Sequence, residues 1–117
     1  MTPHERLRAW SAAHAVVLQV YRSTESWPKR ETYGLVAQAR RAAFSTAANI
    51  AEGAAKRGNR EFRRFLDIAI GSTGELCYVL RVARDLEFFS ESEWRALELQ
   101  RDAAGKQLWR LYQAMGK

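Results

Sequence analysis

The chain has 117 residues, of which 47% are hydrophobic, and a net charge of +6. This length and composition fit a single globular domain, residues 1–117, and exclude an intrinsically disordered chain. The sequence has neither a signal peptide nor an uncharged apolar run of about 18 residues, so we expect a cytoplasmic protein without a membrane-spanning helix.

The first predicted helix begins at Thr2-Pro3-His4-Glu5, which combines an N-cap, a proline at the first helical position and a capping-box glutamate. It ends before Pro28, because the residue preceding a proline is pushed out of helical geometry. Steps of three and four residues connect its expected inward side chains: Leu7, Trp10, His14, Val17, Tyr21 and Thr24. His14 is therefore expected to be a buried, hydrogen-bonded imidazole.

Three further helices follow. The second runs from about Thr32 to Lys56, and the third runs from a cap at Asn59 to Leu86. A capping box at Ser90-Glu91-Ser92-Glu93 opens the fourth. No strand-like alternation competes, and short connections make consecutive helices antiparallel. The sequence therefore predicts an all-α fold, an up-down-up-down antiparallel four-helix bundle.

The third helix has a second face, opposite its core face, that is rich in aliphatic side chains. Projection at 100° per residue places on it Ile68, Gly71, Ser72, Glu75, Val79, Val82 and Leu86. Large aliphatic side chains on an outward face favour contact with another subunit. We therefore expect an oligomer interface formed by Arg41, Asn49, Glu52, Ile68, Gly71, Glu75, Val79 and Val82.

A polar stripe on the second helix is also predicted to face outward, and it consists of Arg41, Ser45, Asn49 and Glu52. It has two interpretations. It is either a solvated surface or a contact in which Glu52 or Glu75 pairs with Arg40 or Arg41 of a neighbouring subunit.

Basic residues are concentrated at one end of the predicted bundle, where the first and third helices begin and the second and fourth end. We name this set the basic pole, and it comprises Arg6, Arg8, Lys56, Arg57, Arg60, Arg63, Arg64, Lys106, Arg110 and Lys117. Only Glu5 and Glu61 oppose these charges, whereas the other end has equal numbers of acidic and basic residues. Three of the arginines follow a helix N-terminus, where positive charge is mildly unfavourable, so the pattern favours polyanion binding.

Three aromatic residues, Trp10, Trp109 and Tyr112, lie near the basic pole. Aromatic rings beside cations are able to stack on unpaired bases. Their helical spacing is nevertheless more typical of core or interface side chains.

Several short segments resemble a known family: Trp10 with Tyr21, Gly34-Leu35, Arg40-Arg41-Ala42, Asn49-Ile50-Ala51-Glu52-Gly53, Gly71-Ser72 and Glu75-Leu76. The chain is similar over nearly its whole length to the four-helix-bundle proteins encoded in intervening sequences of bacterial 23S rRNA genes, also called the S23 family. The resemblance implies a small cytosolic homopentamer without known catalysis. It also implies kinship with the accessory variability proteins of diversity-generating retroelements, which bind a reverse transcriptase and nucleic acid through basic surfaces.

The sequence presents no catalytic constellation. His4 and His14 project about 80° apart on the first helix, and Cys77 has no metal partner at a recognisable spacing, so we expect a buried, unreactive thiol there. Glu52 and Glu75 are the only carboxylates considered for acid–base chemistry, and a role in helix pairing is favoured for both. We therefore expect no enzymatic activity, no cofactor and no metal.

Two functional hypotheses follow from these features. In the first, a homo-oligomer, expected to be a pentamer, binds RNA or other nucleic acid through the basic pole. In the second, the oligomer is a scaffold whose basic pole docks a protein partner such as a reverse transcriptase.

Overall fold

The computed structural model describes residues 1–116, and these form four α-helices in one antiparallel bundle. The helices are α1 (Arg8–Thr24), α2 (Leu35–Ala54), α3 (Asn59–Asp85) and α4 (Glu91–Ala114). Short 3-10 turns occupy Pro3–Arg6 and Lys29–Glu31. In space, α1 and α3 each pack against both α2 and α4. The all-α, up-down-up-down prediction is confirmed. No helix within the described residues is both long and apolar enough to cross a membrane.

The predicted first helix is divided into two parts. Glu5 accepts a hydrogen bond from the Thr2 backbone N–H at 2.8 Å, as the capping box predicts, but it closes only the 3-10 turn. Leu7 then adopts extended dihedral angles of φ −90° and ψ 127°, and α1 begins at Arg8. The predicted cap at Asn59 is also displaced by one residue. Gly58 occupies the N-cap position with φ 81°, which a residue without a Cβ adopts easily.

The core face of α1 lies about one residue away from the predicted face. Its buried side chains are Ala9, Ala13, Val16, Val17, Val20 and Thr24. His14 is exposed, so the prediction of a buried imidazole is wrong. The prediction followed the largest apolar side chains, but small residues let α1 approach its neighbours closely. Trp10 and Tyr21 consequently lie on the flanks of the helix, where Tyr21 is contacted by the Arg40 guanidinium at 4.6 Å.

The tightest helix pair is α2 with α3. The buried residues of α2 are mostly small, and they include Ala39, Ala42, Ala43, Ala47 and Gly53. A Cβ atom at Gly53 would lie 2.8 Å from the Phe65 Cβ and 2.9 Å from the Phe62 Cδ1. The end of α2 is therefore held close to the beginning of α3, and this contact fixes the turn between them at the basic pole.

The opposite end of the bundle is closed by an aromatic cluster. Trp27, after α1, is buried and packs edge-on against Phe89 with ring centroids 5.2 Å apart. Phe88 lies 5.9 Å from the same indole. These two phenylalanines belong to the turn between α3 and α4, so the cluster ties the α1–α2 connection to the α3–α4 connection.

Candidate nucleic-acid interface

The α2–α3 turn and the beginning of α3 together carry the densest group of cations in the basic pole. Arg60, Arg63 and Arg64 line a surface groove of about 530 Å³ together with Met115 at the end of α4. Arg64 pairs with Glu61 at 3.1 Å, and this hydrogen bond is the main reason why the pKa of Glu61 lies below its ordinary value. The positive charges of neighbouring side chains lower that pKa further.

The two cations of the α2–α3 turn differ in their surroundings. The Lys56 ammonium lies 5.4 Å from the centroid of the Phe65 ring. Arg57 is exposed in the turn itself. Neither side chain pairs with a carboxylate in residues 1–116.

The remaining cations of the basic pole come from the first turn of the chain and the end of α4. Arg8 and Arg110 line one shallow groove between the start of α1 and the last turns of α4. Arg6 ends the 3-10 turn that packs against α2. Lys106 pairs with Asp102 at 3.1 Å. Lys117, the tenth member of the predicted set, lies outside the described residues.

The structure therefore brings helix ends distant in sequence to one pole, as predicted. Seven of its cations make no ion pair within residues 1–116, and they are Arg6, Arg8, Lys56, Arg57, Arg60, Arg63 and Arg110. At the opposite pole Arg84 pairs with Glu91 at 2.7 Å and Arg81 pairs with Asp85 at 3.2 Å, whereas Arg22, Lys29 and Arg30 make no ion pair within the described residues. That pole nevertheless has as many acidic as basic residues, so an excess of positive charge is a property of one end of the molecule.

The polar stripe on α2 lies along the contact with α3 of the same chain. Arg41 forms an ion pair with Glu75 of α3, and the Ser45 hydroxyl lies 2.9 Å from the Ser72 hydroxyl. Asn49 donates to the Ser45 carbonyl at 2.8 Å. Glu75 therefore has an arginine partner within its own chain, whereas one of the two interpretations of the stripe placed such a pair between subunits. A pair this exposed contributes little to stability but can help to set the register of the two helices.

The predicted interface residues on α3 divide into exposed and buried sets. Ile68 is 43% exposed and Gly71 is exposed, whereas Val82 is half-buried. Val79 is only 3% exposed and belongs to the core, so its assignment to an outward face is wrong. The outward projection assumed that the core face of α3 is narrow, but packing against both α2 and α4 widens it. On α2, Glu52 is exposed as predicted.

Comparison with known families decides the relationship of the chain. Residues 5–110 match the model of a family described as 23S rRNA-intervening sequence protein. The chain belongs to this family. No curated protein sequence matches this intervening-sequence protein.

A solved structure is similar to this chain over most of its length. It is the crystal structure of a protein of unknown function from the S23 ribosomal protein family of Bacteroides thetaiotaomicron. The two share 17% sequence identity and superpose with a TM-score of 0.79, over 89% of this chain and 97% of the other. At this level of identity the likeness establishes the shared fold alone.

The basic pole contains two aromatic clusters that were not predicted from the sequence. Trp109 stacks on Tyr112, with ring centroids 5.5 Å apart and planes inclined by 20°. The Arg63 guanidinium lies 4.2 Å from the centroid of the Tyr112 ring. The spacing of Trp109 and Tyr112, three residues apart on one helix, was a signal that the two rings meet. The contact with Arg63 depends on how α3 packs against α4.

The second cluster contains both histidines. The Trp10 indole stacks on the His14 imidazole at 4.9 Å, with planes inclined by 8°, and His4 approaches the same indole edge-on at 4.7 Å. The 80° separation predicted on a continuous helix does not apply, because Leu7 breaks the helix between them. Trp10 is thus largely covered by its own neighbours.

Cys77 is half-buried and belongs to a small polar cluster between α3 and α4. Its thiol donates a hydrogen bond to Glu98 at 3.4 Å, and Arg101 holds the same carboxylate at 2.7 Å. Burial is the main cause that raises the pKa of the Cys77 thiol, which disfavours the nucleophilic thiolate.

Proposed function

We propose that this protein is a non-catalytic homo-oligomer, a pentamer, that binds RNA through its basic pole. The observation that carries the proposal is the excess of positive charge at one end of the bundle, where seven cations have no carboxylate partner within residues 1–116. Cations that only interact with water would not need to be concentrated at one end of the bundle. A polyanion contacts such an end through many phosphates at once and releases counterions from each of them.

The α3 N-terminus supports the choice of a phosphate-rich ligand. Its first backbone N–H groups carry partial positive charge, which disfavours the arginines that follow them. The same N–H groups and arginines together form a favourable environment for a phosphate. The arginines are therefore electrostatically unfavourable in the unbound protein, but they add to the binding of a phosphate in the complex. All of the seven unpaired cations except Lys56 are arginines. Guanidinium groups bind phosphate oxygens in bidentate geometry.

The oligomeric part of the proposal is supported by the outward face of α3. Gly71 and Gly74 lie in the middle of a 27-residue helix, where each glycine costs about 1 kcal/mol relative to alanine. A Cβ atom at either position would have no neighbour within 4 Å in the chain, so the bundle itself does not need these glycines. Ile68 and Leu86 are exposed on the same helix. A second copy packing closely on this face would use both the glycines and the aliphatic side chains.

The test is RNA binding by two variants of equal charge. Arg57→Gln/Arg60→Gln removes two cations from the basic pole, and Arg22→Gln/Lys29→Gln removes two from the opposite pole. We expect only the first variant to lose affinity for a labelled single-stranded RNA. Its slope of log K against log salt should also fall by about 1.4, since each lost phosphate contact contributes about 0.7 for single strands.

Two results would contradict the proposal. Equal effects of the two variants would mean that net charge, not its location, governs binding. Weak binding of bare RNA by the unmodified protein would favour the scaffold hypothesis, in which the basic pole docks a protein partner such as a reverse transcriptase.

A further inference from the structure

Trp109 is an exposed aromatic side chain in the middle of the basic pole. It is 49% exposed, although it stacks on Tyr112, which in turn contacts Arg63. Arg110 and Lys106, which pairs with Asp102 of the same groove, lie with it along a shallow surface groove of about 440 Å³. The indole therefore contacts Tyr112 on one side and has a cation before and after it along the helix.

The residue one helical turn before Trp109 is Gly105, which has no side chain. Side chains on a helix lean toward its N-terminus, so the Trp109 ring extends over the turn that contains Gly105. A longer side chain at that position would occupy the surface beside the indole. A Cβ atom built on Gly105 meets only Arg101, at 3.8 Å, so the packing of the bundle does not require glycine there. The glycine leaves room beside the ring for a flat ligand.

Trp10, the other tryptophan of this pole, lacks these properties. His14 stacks on its ring and His4 contacts it edge-on, so its aromatic surface is used within the chain. The two tryptophans thus differ in what they can offer to a ligand, and Trp109 is the one with an exposed aromatic surface among cations.

We propose that Trp109 is a base-stacking site, through which the basic pole selects single-stranded RNA over duplex RNA. This inference rests on the proposed function, because it names the form of RNA that the basic pole binds. In a duplex the bases stack on one another and only the phosphates are presented to the cations. An unpaired base can leave its strand and stack on the indole while its phosphates contact Lys106 and Arg110.

The experiment compares one mixed-sequence RNA strand with the duplex that it forms with its complement. We expect Trp109→Ala to weaken binding of the single strand about 5- to 150-fold, the range found for the loss of one stacked base. Binding of the duplex should be unchanged, and the salt dependence of single-strand binding should be unchanged as well, since no phosphate contact is lost. The Arg57→Gln/Arg60→Gln variant should instead weaken both ligands and reduce both salt dependences.

Two conservative variants separate stacking from folding. Trp109→Tyr keeps an aromatic face and should retain most of the single-strand affinity, whereas Trp109→Leu keeps apolar packing on Tyr112 but should lose it. Circular dichroism and light scattering check that each variant keeps its helical content and its mass. If Trp109→Ala does not fold, the comparison of the tyrosine and leucine variants decides the question.

The outcomes distinguish this inference from the proposed function. Unchanged single-strand affinity in Trp109→Ala or Trp109→Leu, or equal losses on single strand and duplex, would overturn the stacking site while leaving RNA binding by the basic pole intact. Failure of the unmodified protein to bind either RNA would overturn both.

Discussion

Gly53 is a position at which the bundle leaves no room for a side chain. We expect Gly53→Ala to lower the free energy of unfolding by about 1–3 kcal/mol, because the new methyl group would overlap Phe62 and Phe65. Gly105→Ala in α4 is the matched control, because a Cβ atom there meets Arg101 at an ordinary contact distance of 3.8 Å, and it should raise the free energy of unfolding by up to about 1 kcal/mol. Urea denaturation of both variants measures the difference. Equal stabilities would mean that α2 and α3 can separate at this point without cost.

At the residue scale, sequence reasoning failed where packing between helices decides which side chains are buried. The role of Gly53 could not be predicted, because its contact with Phe65 depends on the distance between two helices. His14 was assigned to the core because it continues a pattern of large side chains, while the smaller Ala13 is the residue that is buried. Val79 was assigned to an outward face because a projection of one helix contains no information about the width of its contacts.

The beginning of α4 shows how a sequence motif stabilises an element. Glu93 donates its backbone N–H to the Ser90 hydroxyl at 3.1 Å, and the Glu93 carboxylate accepts from the Ser90 backbone N–H at 3.1 Å. We expect Ser90→Ala to lower the free energy of unfolding by about 1 kcal/mol, the usual cost of a lost N-cap. Ser11→Ala, on the exposed face of α1, should have no measurable effect in the same urea titration. A loss of similar size at both sites would show that the cap is not the cause.

The same cap should make stability depend on pH. The hydrogen bond from the Ser90 backbone, followed by that from its side chain, lowers the pKa of Glu93 below the ordinary value of 4.5. A lowered pKa stabilises the fold fully above pH 4.5, and this contribution is lost as the pH falls through the lower value in the folded state. Thermal unfolding of Glu93→Gln should therefore occur at a lower temperature than that of the unmodified protein at pH 7. The difference should shrink as the pH falls below 4.5, and a constant difference would contradict this account.

At the scale of elements, the four helices and their order were predictable because each has strong periodicity and a clear start or end signal. The capping boxes at Thr2 and Ser90 were both recognised. The extended residue Leu7 was not, since nothing in the sequence opposes a helix there. The broken helix in turn changed the site, because it allows His4 to reach Trp10.

For the whole molecule, the proposed oligomer makes a direct prediction of mass. Ile68→Lys introduces a charge next to the open glycines of α3 and should reduce the particle measured by light scattering toward the 13.4 kDa of a single chain. Leu99→Lys is the matched control, because Leu99 is a more exposed aliphatic residue on α4. It should leave the mass of the particle unchanged. A single-chain mass for the unmodified protein at micromolar concentration would contradict the oligomer.

The location of the basic pole follows from topology once the number and order of the helices are known, so the sequence was sufficient to assemble it. The spacing of Trp109 and Tyr112 was a signal that their rings meet, but the contact of Tyr112 with Arg63 was beyond the sequence, because Arg63 lies on another helix.

The separation of charge along the bundle has a consequence for how the molecule approaches a partner. The helices run along the 43 Å dimension of the molecule, and the excess positive charge lies at one end of it. A distant polyanion therefore exerts a torque as well as an attraction, and it turns the charged end forward before any contact forms. The protein therefore meets the polyanion with its basic pole first and not in a random orientation. Added salt screens the charges that cause this alignment, so it should slow association.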